Sequence, residues 1–260
     1  MTRAESSQAS VGVQSVGRAF EVLEAIAGAG RASSLSEIAA AVARPAPSVH
    51  RLVRTLVALG YVRQDSSRRY ALAPGLIRLG DSAARQFGVW ASPVLAGLVD
   101  VIGESANMAI LEGTHALYVA QVAGRHAMRM FTEVGRRVPL HSTGVGKALL
   151  AQLPEEDVAI VLKSTGMHTI TDHTITEPEV LRQELVAGRT LGYFTDNGEQ
   201  EVGVSCVAVA VPETPALTAI SFSAPSPRMT PDVTRRAAAA LRSAAQTLAD
   251  WFVAEREHMQ

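Results

Sequence analysis

Apolar residues in the first third of the chain recur at helical spacing in three stretches that are separated by polar turns. The first stretch covers residues 15–29, and the second begins at Ser34, where Glu37 has the spacing of a capping box. The third follows the turn at residues 43–46 and ends at Gly60, since glycine commonly closes a helix in the left-handed conformation. The inward-facing positions are Ala19, Val22, Leu23, Ile26, Leu35, Ile38, Ala39, Val42, Val49, Leu52, Val53 and Leu56. This pattern predicts three short helices around one core.

Two short strands are predicted directly after the third helix, at residues 61–64 and 69–72, and the polar turn 65–68 joins them. A helix, a turn, a second helix and a hairpin form the layout of a winged helix-turn-helix, which places one helix in the major groove of DNA. A basic hairpin alone is often only a solvated surface. The helix pair that precedes it favours the DNA-binding interpretation.

Polar side chains on the outer face of the third helix are candidates for contact with DNA. We expect Ser48, His50 and Arg51 to meet base edges, because an arginine can bond both acceptors of guanine. The candidates for phosphate contact are Arg54, Arg63, Arg68 and Arg69.

The remainder of the chain mixes short strands with helices. A helical linker is predicted over residues 75–90, and a second domain over 91–260 opens with an apolar helix at 92–104 that has Pro93 in its first turn. Strands are predicted at 107–111, 116–122, 193–196, 202–211 and 217–223, and helices at 148–153, 155–162, 177–188 and 231–255. The fold class is therefore α+β, with a winged helix-turn-helix over residues 1–74, of which 1–14 are expected to be disordered, and an α/β domain behind the linker.

Composition and charge agree with two domains of different kinds. The 260 residues are 47% hydrophobic and 19% charged, which is enough apolar material for two modest cores. Residues 1–80 hold ten arginines, no lysine and five acidic residues, so they carry +5, whereas the remainder carries −6. A basic first third on an acidic body is expected when one part contacts phosphate and the other does not.

The single cysteine, Cys206, excludes a disulfide framework within one chain and favours a cytoplasmic location. No apolar run reaches the length of a membrane span, so no membrane partner is expected.

A glycine-containing turn at residues 142–147 is similar at first sight to a phosphate-binding loop. A true P-loop needs a glycine where His141 stands and a serine or threonine where Ala148 stands. A nucleotide site is therefore not favoured. The turn can still seat an anion such as a small carboxylate, because backbone N–H groups at a helix start carry partial positive charge.

For the other chemically reactive residues, a purely structural role competes with a functional one. Cys206 is not a nucleophile elbow, since Val207 replaces the required glycine, and a lone cysteine in an apolar strand is usually a small core residue. His168 and His173 lack a third ligand nearby, and a zinc site built from His141, Cys206 and an acid stays open. Asp196 either lies in a solvated loop or reaches into a ligand pocket.

Several motifs in order resemble the IclR family of bacterial transcriptional regulators, over nearly the whole chain. In the first domain these are residues 16–23, 35–39 and 49–52, and in the second they are residues 139–148, 192–208 and 220–225. The resemblance implies a winged helix for operator DNA, a GAF-like effector-binding domain, and a homodimer or a dimer of dimers. It implies an effector pocket lined by Thr143, Gly144, Val145, Gly146, Asp196, Cys206, Ser221 and Ser223.

One motif departs from the family pattern. Members often carry Leu-Pro-Lys-Ser-Thr at the start of the reading helix, where this chain has Arg-Pro-Ala-Pro-Ser at residues 44–48. Arg44 is a candidate to replace the missing cation, and the operator sequence cannot be copied from a relative.

We therefore predict a non-enzymatic regulator of transcription, without cofactor or metal, whose operator binding is controlled by an organic or aromatic acid. An enzyme on the second domain and a structural DNA-binding protein without an effector are the alternatives. The first needs a nucleophile–base pair or a metal cluster.

Overall fold

The computed structural model describes residues 13–130 and 132–258, with residues 84–90 and 257–258 described by their backbone alone. Most of the N-terminal arm predicted over residues 1–14 lies outside this range. The chain divides into two compact units between Ala83 and Ala84, within the predicted linker. They are called the N-terminal and the C-terminal unit below.

The N-terminal unit contains the predicted three helices and hairpin. The helices are α1 (Gln14–Gly28), α2 (Leu35–Ala41) and α3 (Ala46–Ala58), and the strands are β1 (Val62–Gln64) and β2 (Tyr70–Leu72). Their shared core is apolar, with Val22, Val49 and Val53 fully buried. Ser33 and Tyr70 exchange backbone hydrogen bonds of 2.8 and 2.7 Å, which ties the start of α2 to the hairpin. The winged helix-turn-helix is confirmed.

A single helix, α4 (Gly75–Ile102), stands where the sequence predicted a linker helix and a separate helix from residue 92. The predicted break at Pro93 is wrong, because Pro93 lies inside α4. A proline in the first turn of a helix and a proline inside a helix differ only in whether the residues before the proline are also helical. The interior position costs one backbone hydrogen bond, and local sequence does not reveal whether packing offsets that cost.

The C-terminal unit is built on one antiparallel sheet of six strands in the order β5-β4-β3-β8-β7-β6. The strands are β3 (Ser105–Glu112), β4 (His115–Val122), β5 (Arg137–Val138), β6 (Phe194–Asn197), β7 (Val204–Val211) and β8 (Thr218–Pro225). The helices are α5 (Gly144–Leu150), α6 (Glu155–Thr165), α7 (Pro178–Leu191) and α8 (Pro231–His258), with a short 3-10 turn at Ser226–Arg228. The predicted strands are confirmed to within a few residues.

Alternating side chains give the sheet two buried faces. Val207, Val209, Ile220 and Phe222 face α8 and the last turns of α4. Ala208, Ala219 and their neighbours face α5, α6 and α7. Helices on both faces of the sheet make the α/β domain that the sequence predicted.

The helix α5 begins at Gly144, four residues before the predicted start at residue 148. Two glycines hid this start, because glycine is a poor helix former. Both are required by close packing: a Cβ on Gly146 would lie 2.3 Å from the Leu140 carbonyl oxygen, and one on Gly144 would lie 3.0 Å from the Cys206 sulfur.

Replacing Gly146 by alanine tests this packing. We expect Gly146→Ala to lower the free energy of unfolding of the C-terminal unit by about 1–3 kcal/mol, because the added methyl would overlap the Leu140 backbone and the Thr143 hydroxyl. Gly97→Ala is the matched control, since Gly97 lies in α4 with open space around it. The control should raise stability by up to about 1 kcal/mol. Urea denaturation followed by circular dichroism measures both, and equal stabilities would contradict the packing argument.

Candidate DNA-binding surface and effector pocket

The recognition helix α3 is positioned by a capped neighbour and a tight turn. Ser34 caps α2 by accepting from the Glu37 N–H at 3.3 Å, while the Glu37 carboxylate accepts from the Ser34 N–H at 2.6 Å, as the sequence predicted. Ala43 adopts a left-handed φ of 49° in the turn, and Pro45 precedes the first residue of α3. The buried face of α3 holds Val49, Val53 and Leu56, which leaves its other side free.

Four of the predicted DNA contacts lie on that free side of α3. Ser48 is half-buried, and His50, Arg51 and Arg54 are exposed. Arg63 and Arg68 are exposed on the hairpin, where Asp65 Oδ1 accepts from the N–H groups of Ser67 and Arg69 and so fixes the turn.

The structure places the other two predicted contacts in ion pairs within the domain. Arg44 bonds both carboxylate oxygens of Glu21, at 2.7 and 2.9 Å. Arg69 bonds the Ala32 carbonyl at 2.9 Å and Glu37 at 2.7 Å. These two guanidinium groups tie α1 to the helix turn and the hairpin to α2.

A polar groove beside α3 contains a cation that sequence reasoning missed. Arg18 and Ser15 of α1 line it together with Ser48, Arg51 and Thr55 of α3, around a volume of about 290 Å³. The sequence did contain one signal, since Ser48, Arg51 and Thr55 have the i, i+3, i+7 spacing of one helix face. That this face lies beside Ser15 and Arg18 follows only from the packing of α1 against α3.

A row of polar side chains crosses the otherwise apolar face of the sheet that meets α5. The strand register pairs Asn107 with Ser221, Ser223 with Cys206, and Cys206 with Asp196. Asn107 Nδ2 donates to Ser223 Oγ at 3.2 Å and lies 3.5 Å from Ser221 Oγ. All five side chains are buried, and buried polar groups in such a row are costly unless they are hydrogen-bonded or serve a ligand.

A small cavity of about 60 Å³ lies at one end of this row. Four of the predicted pocket residues line it, namely Thr143, Asp196, Cys206 and Ser223. Ser221 lies in the row without lining the cavity, and Gly144, Val145 and Gly146 are buried behind it. The remaining lining residues, which the sequence did not reveal, are Tyr118, Met130, Thr132, Arg136, Val138, Gln200, Glu201 and Val204.

The turn before α5 uses its own side chain to satisfy the helix start. Thr143 Oγ1 accepts from the Gly146 N–H at 3.1 Å, and the Thr143 carbonyl accepts from the Lys147 N–H at 2.9 Å. The N–H groups that were predicted to seat an anion are thus partly occupied, and Thr143 is the residue of this turn that reaches the cavity.

Lys147 holds the segment that carries Asp196. Its ammonium group is 1% exposed and donates to Glu199 at 2.7 Å and to the Thr195 carbonyl at 3.0 Å. The Asp196 carboxylate accepts from the Glu199 N–H at 2.7 Å. From the other side, Thr174 Oγ1 donates to the Glu199 carbonyl at 2.7 Å. Hydrogen bonds from both sides therefore fix the segment that follows Asp196, and the Asp196 side chain is buried rather than solvated.

Burial changes the protonation of this pocket. Desolvation raises the pKa of Asp196 to about 7 against the opposing effects of its backbone hydrogen bond and of Lys147. Burial likewise raises the pKa of Tyr118, and it raises the pKa of the Cys206 thiol to about 12. Cys206 is thus a neutral thiol in the cavity wall, and its environment does not activate it as a nucleophile.

The zinc ligands that the sequence left open are not assembled in the described part of the chain. His141 Nε2 lies 3.1 Å from the His168 carbonyl oxygen, and burial lowers the pKa of this imidazole. Among residues 13–130 and 132–258, no three histidine, cysteine or acidic side chains converge as metal ligands would. In the same residues, no helix is both long enough and apolar enough to span a membrane.

A winged helix with free arginines, followed by an α/β domain that has a polar cavity, defines a DNA-binding protein with a ligand-binding domain. Comparison with protein families identifies the class further. Residues 15–66 match the IclR helix-turn-helix domain, and residues 87–250 match the bacterial transcriptional regulator IclR C-terminal domain. The chain belongs to the IclR family of bacterial transcriptional regulators, and it is a regulator rather than an enzyme.

Individual relatives agree with this assignment. The transcriptional repressor IclR of Escherichia coli strain K12 is 34% identical over 227 residues, which cover 85% of this chain and 83% of that protein. An IclR transcriptional regulator from Alicyclobacillus acidocaldarius is similar in structure with a TM-score of 0.82 at 28% identity, over 93% of this chain and 99% of the other. An IclR homolog from Microbacterium hydrocarbonoxydans, complexed with 4-hydroxybenzoate, has a TM-score of 0.76 at 25% identity, over 92% and 99%.

The raised pKa of Asp196 predicts a pH dependence of stability. Between pH 4 and pH 7 the unfolded state ionises Asp196 while the folded state holds it neutral, so this residue lowers the free energy of unfolding as the pH rises. Relative to Asp196→Asn, the wild type should lose up to about 4 kcal/mol across this interval and little more above pH 7. Asparagine keeps the acceptor for the Glu199 N–H.

Urea denaturation of both proteins at a series of pH values measures the difference. Asp172→Asn is the control, because Asp172 is exposed and its variant should follow the wild type. A difference between wild type and Asp196→Asn that stays constant from pH 4 to pH 7 would show that Asp196 is ionised throughout.

Proposed function

We propose that this regulator binds operator DNA through α3 and the hairpin, and that a small organic acid in the C-terminal cavity controls this binding. The observation that carries the proposal is the convergence of Thr143, Asp196, Cys206 and Ser223 on one cavity of the ligand-binding domain. The cavity is lined by buried polar side chains on one side and opens toward exposed Arg136 and Glu201 on the other, and small-molecule sites likewise combine shape with a few placed polar groups.

On the DNA side, the proposal divides the arginines by their partners. Arg51 meets base edges with Ser48 and His50, because these side chains project from α3 and major-groove readout uses a helix. Arg54, Arg63 and Arg68 contact phosphates, and Arg18 extends this contact from the groove beside α3. Arg44 and Arg69 act by positioning the helices and the hairpin, since their guanidinium groups already bond Glu21 and Glu37.

On the effector side, the cavity offers donors suited to a carboxylate. Arg136 supplies the cation, and Ser223 and Tyr118 supply hydroxyl groups, whereas the Thr143 hydroxyl already donates to the Pro139 carbonyl at 2.9 Å. Neutral Asp196 can donate to a second oxygen of the ligand. A volume of about 60 Å³ favours a compact acid, and the 4-hydroxybenzoate in the Microbacterium homolog makes an aromatic acid the second class to test.

The proposal includes a homodimer or a dimer of dimers. Exposed apolar side chains support association: Val16, Phe20 and Leu59 contribute to a groove of about 480 Å³ between α1 and α3. Apolar patches of this kind on a soluble domain commonly mark contacts between proteins.

The role of Arg51 can be tested on an operator selected from random duplexes with the full chain. Arg51→Ala should weaken binding to the selected site by about 1–3 kcal/mol and relax sequence preference at one position, because a bidentate base contact is lost. The matched control is Arg31→Ala, since Arg31 is exposed but paired with Glu37. Fluorescence anisotropy gives both affinities.

Salt titration separates phosphate contacts from base contacts in the same assay. Arg18→Ala should reduce the slope of log affinity against log salt by about one and weaken all sequences alike. If Arg51→Ala binds the selected site as tightly as the wild type does, Arg51 makes no base contact.

The effector class can be tested by thermal shift. Compact carboxylates at millimolar concentration should raise the melting temperature of the wild type, since a ligand that binds the folded state stabilises it. Arg136→Gln should remove the shift by weakening the hold on the carboxylate, whereas Arg129→Gln, on an exposed residue that does not line the cavity, should preserve it. Amides of the same acids serve as ligand controls. No shift with any compact or aromatic acid would contradict an acid effector.

A further inference from the structure

One wall of the effector cavity is an irregular segment that hydrogen bonds hold from behind. This wall segment, residues 123–130, ends at Met130, which lines the cavity. Ser105 Oγ donates to the Met130 carbonyl at 2.6 Å and accepts from the Gly124 N–H at 3.0 Å. The Arg125 N–H donates to the Gly103 carbonyl at 2.9 Å. The wall segment is therefore attached to the residues that directly follow α4.

A buried ion pair gives this attachment its strength. Glu104 is 3% exposed, and its carboxylate receives two hydrogen bonds from Arg228, at 2.7 and 2.9 Å. Arg228 also donates to the Met128 carbonyl at 2.9 Å, and His126 Nε2 lies 3.5 Å from the same carboxylate. One guanidinium group thus joins Glu104, two residues beyond the end of α4, to the middle of the wall segment.

The wall segment packs closely against the residues that follow α4. A Cβ on Gly124 would lie 2.8 Å from the Gly103 carbonyl oxygen, so the wall segment contacts the backbone after α4 directly. Glu104 is buried, and a buried carboxylate that loses the cation bonded to it is strongly destabilising. A ligand that displaces Met130 in the cavity moves the chain that carries the Met128 carbonyl, and Arg228 and Glu104 shift with it, because separating the pair costs more than moving it.

We propose that the Glu104–Arg228 pair is the positioning element that couples the cavity wall to the end of α4, and through that helix regulates operator binding. The proposal rests on the proposed function, since the cavity must hold the effector and the N-terminal unit must hold DNA. It adds a route: α4 is continuous from Gly75, three residues after β2, to Ile102, two residues before Glu104. An element that both sites bias is what allosteric coupling requires.

A double-mutant cycle tests the coupling without a known effector. Met130→Trp enlarges a side chain that lines the cavity, and it serves as the probe because the larger ring must either fill the cavity or displace the wall segment. Glu104→Gln with Arg228→Met removes both charges together, so that no unpaired buried charge threatens folding. Amide hydrogen exchange of residues 96–102, the end of α4, is the first readout, and affinity for the selected operator is the second.

In the wild-type background, Met130→Trp should change exchange at the end of α4 and operator affinity by about fivefold or more. In the Glu104→Gln, Arg228→Met background the same probe should change both by less than about twofold. The matched control removes an exposed pair of the same kind on α8 through Asp232→Asn with Arg235→Met, and it should leave the probe's effect intact.

Additive effects of the probe and the pair would overturn the proposal, as would a probe without effect on α4 in the wild type. Arg228→Lys offers a second variant that keeps a cation near Glu104 but cannot bond both carboxylate oxygens and Met128 in the same way. It should give an intermediate response. If the wild type binds no operator, the proposed function fails, while the exchange measurement still decides whether the pair couples wall and helix.

Discussion

The C-terminal unit depends on a buried ammonium group that must be paired. Lys147 projects from the second turn of α5 into the protein, where Glu199 and the Thr195 carbonyl receive it. An unpaired charge at this depth would cost several kcal/mol, so α5 and the segment around residue 199 are held in one arrangement. That arrangement brings Thr143 before α5 and Asp196 before Glu199 to the same cavity. The position of the cavity is thus a consequence of how one lysine is paired.

The same site weakens the domain that contains it. The row from Asn107 to Asp196 occupies positions where the rest of the face carries alanine and larger apolar side chains. Desolvation that raises the pKa of Asp196 acts against folding, as does Glu199 Oε2, a buried atom without a hydrogen-bond partner. A ligand that bonds such groups recovers part of this cost, which is the usual reason for polar groups in a domain core.

The periodicity of apolar residues predicted the helices and strands well, but it predicted poorly which side chains meet in the folded protein. Alternation and helical spacing located the strands and the three-helix core because those patterns reflect burial, which each residue carries locally. The start of α5 was not predicted because its two glycines are explained by close packing against Leu140 and Cys206, and the interior position of Pro93 was not predicted because local sequence does not show whether a helix continues through a proline. Four of the cavity residues were predicted, and all four lie within family motifs. Arg136 and Met130 were not predicted, since they lie in irregular chain that only the sheet brings to the site.

Charge counting cannot show which arginines form pairs within the folded unit. Arg44 and Arg69 were predicted as DNA contacts, and in the structure Glu21 binds Arg44 while Glu37 binds Arg31 and Arg69. The Arg44–Glu21 pair joins α1 to the turn before α3, and the Arg69–Glu37 pair joins the hairpin to α2, so these two pairs help to position the elements that carry the other arginines. A carboxylate that neutralises one arginine can therefore strengthen recognition by another, because phosphate contacts depend on register as well as on net charge. For Arg44 and Arg69, the carboxylates that bind them lie more than twenty positions away in the sequence, so only the fold shows that these two arginines are paired.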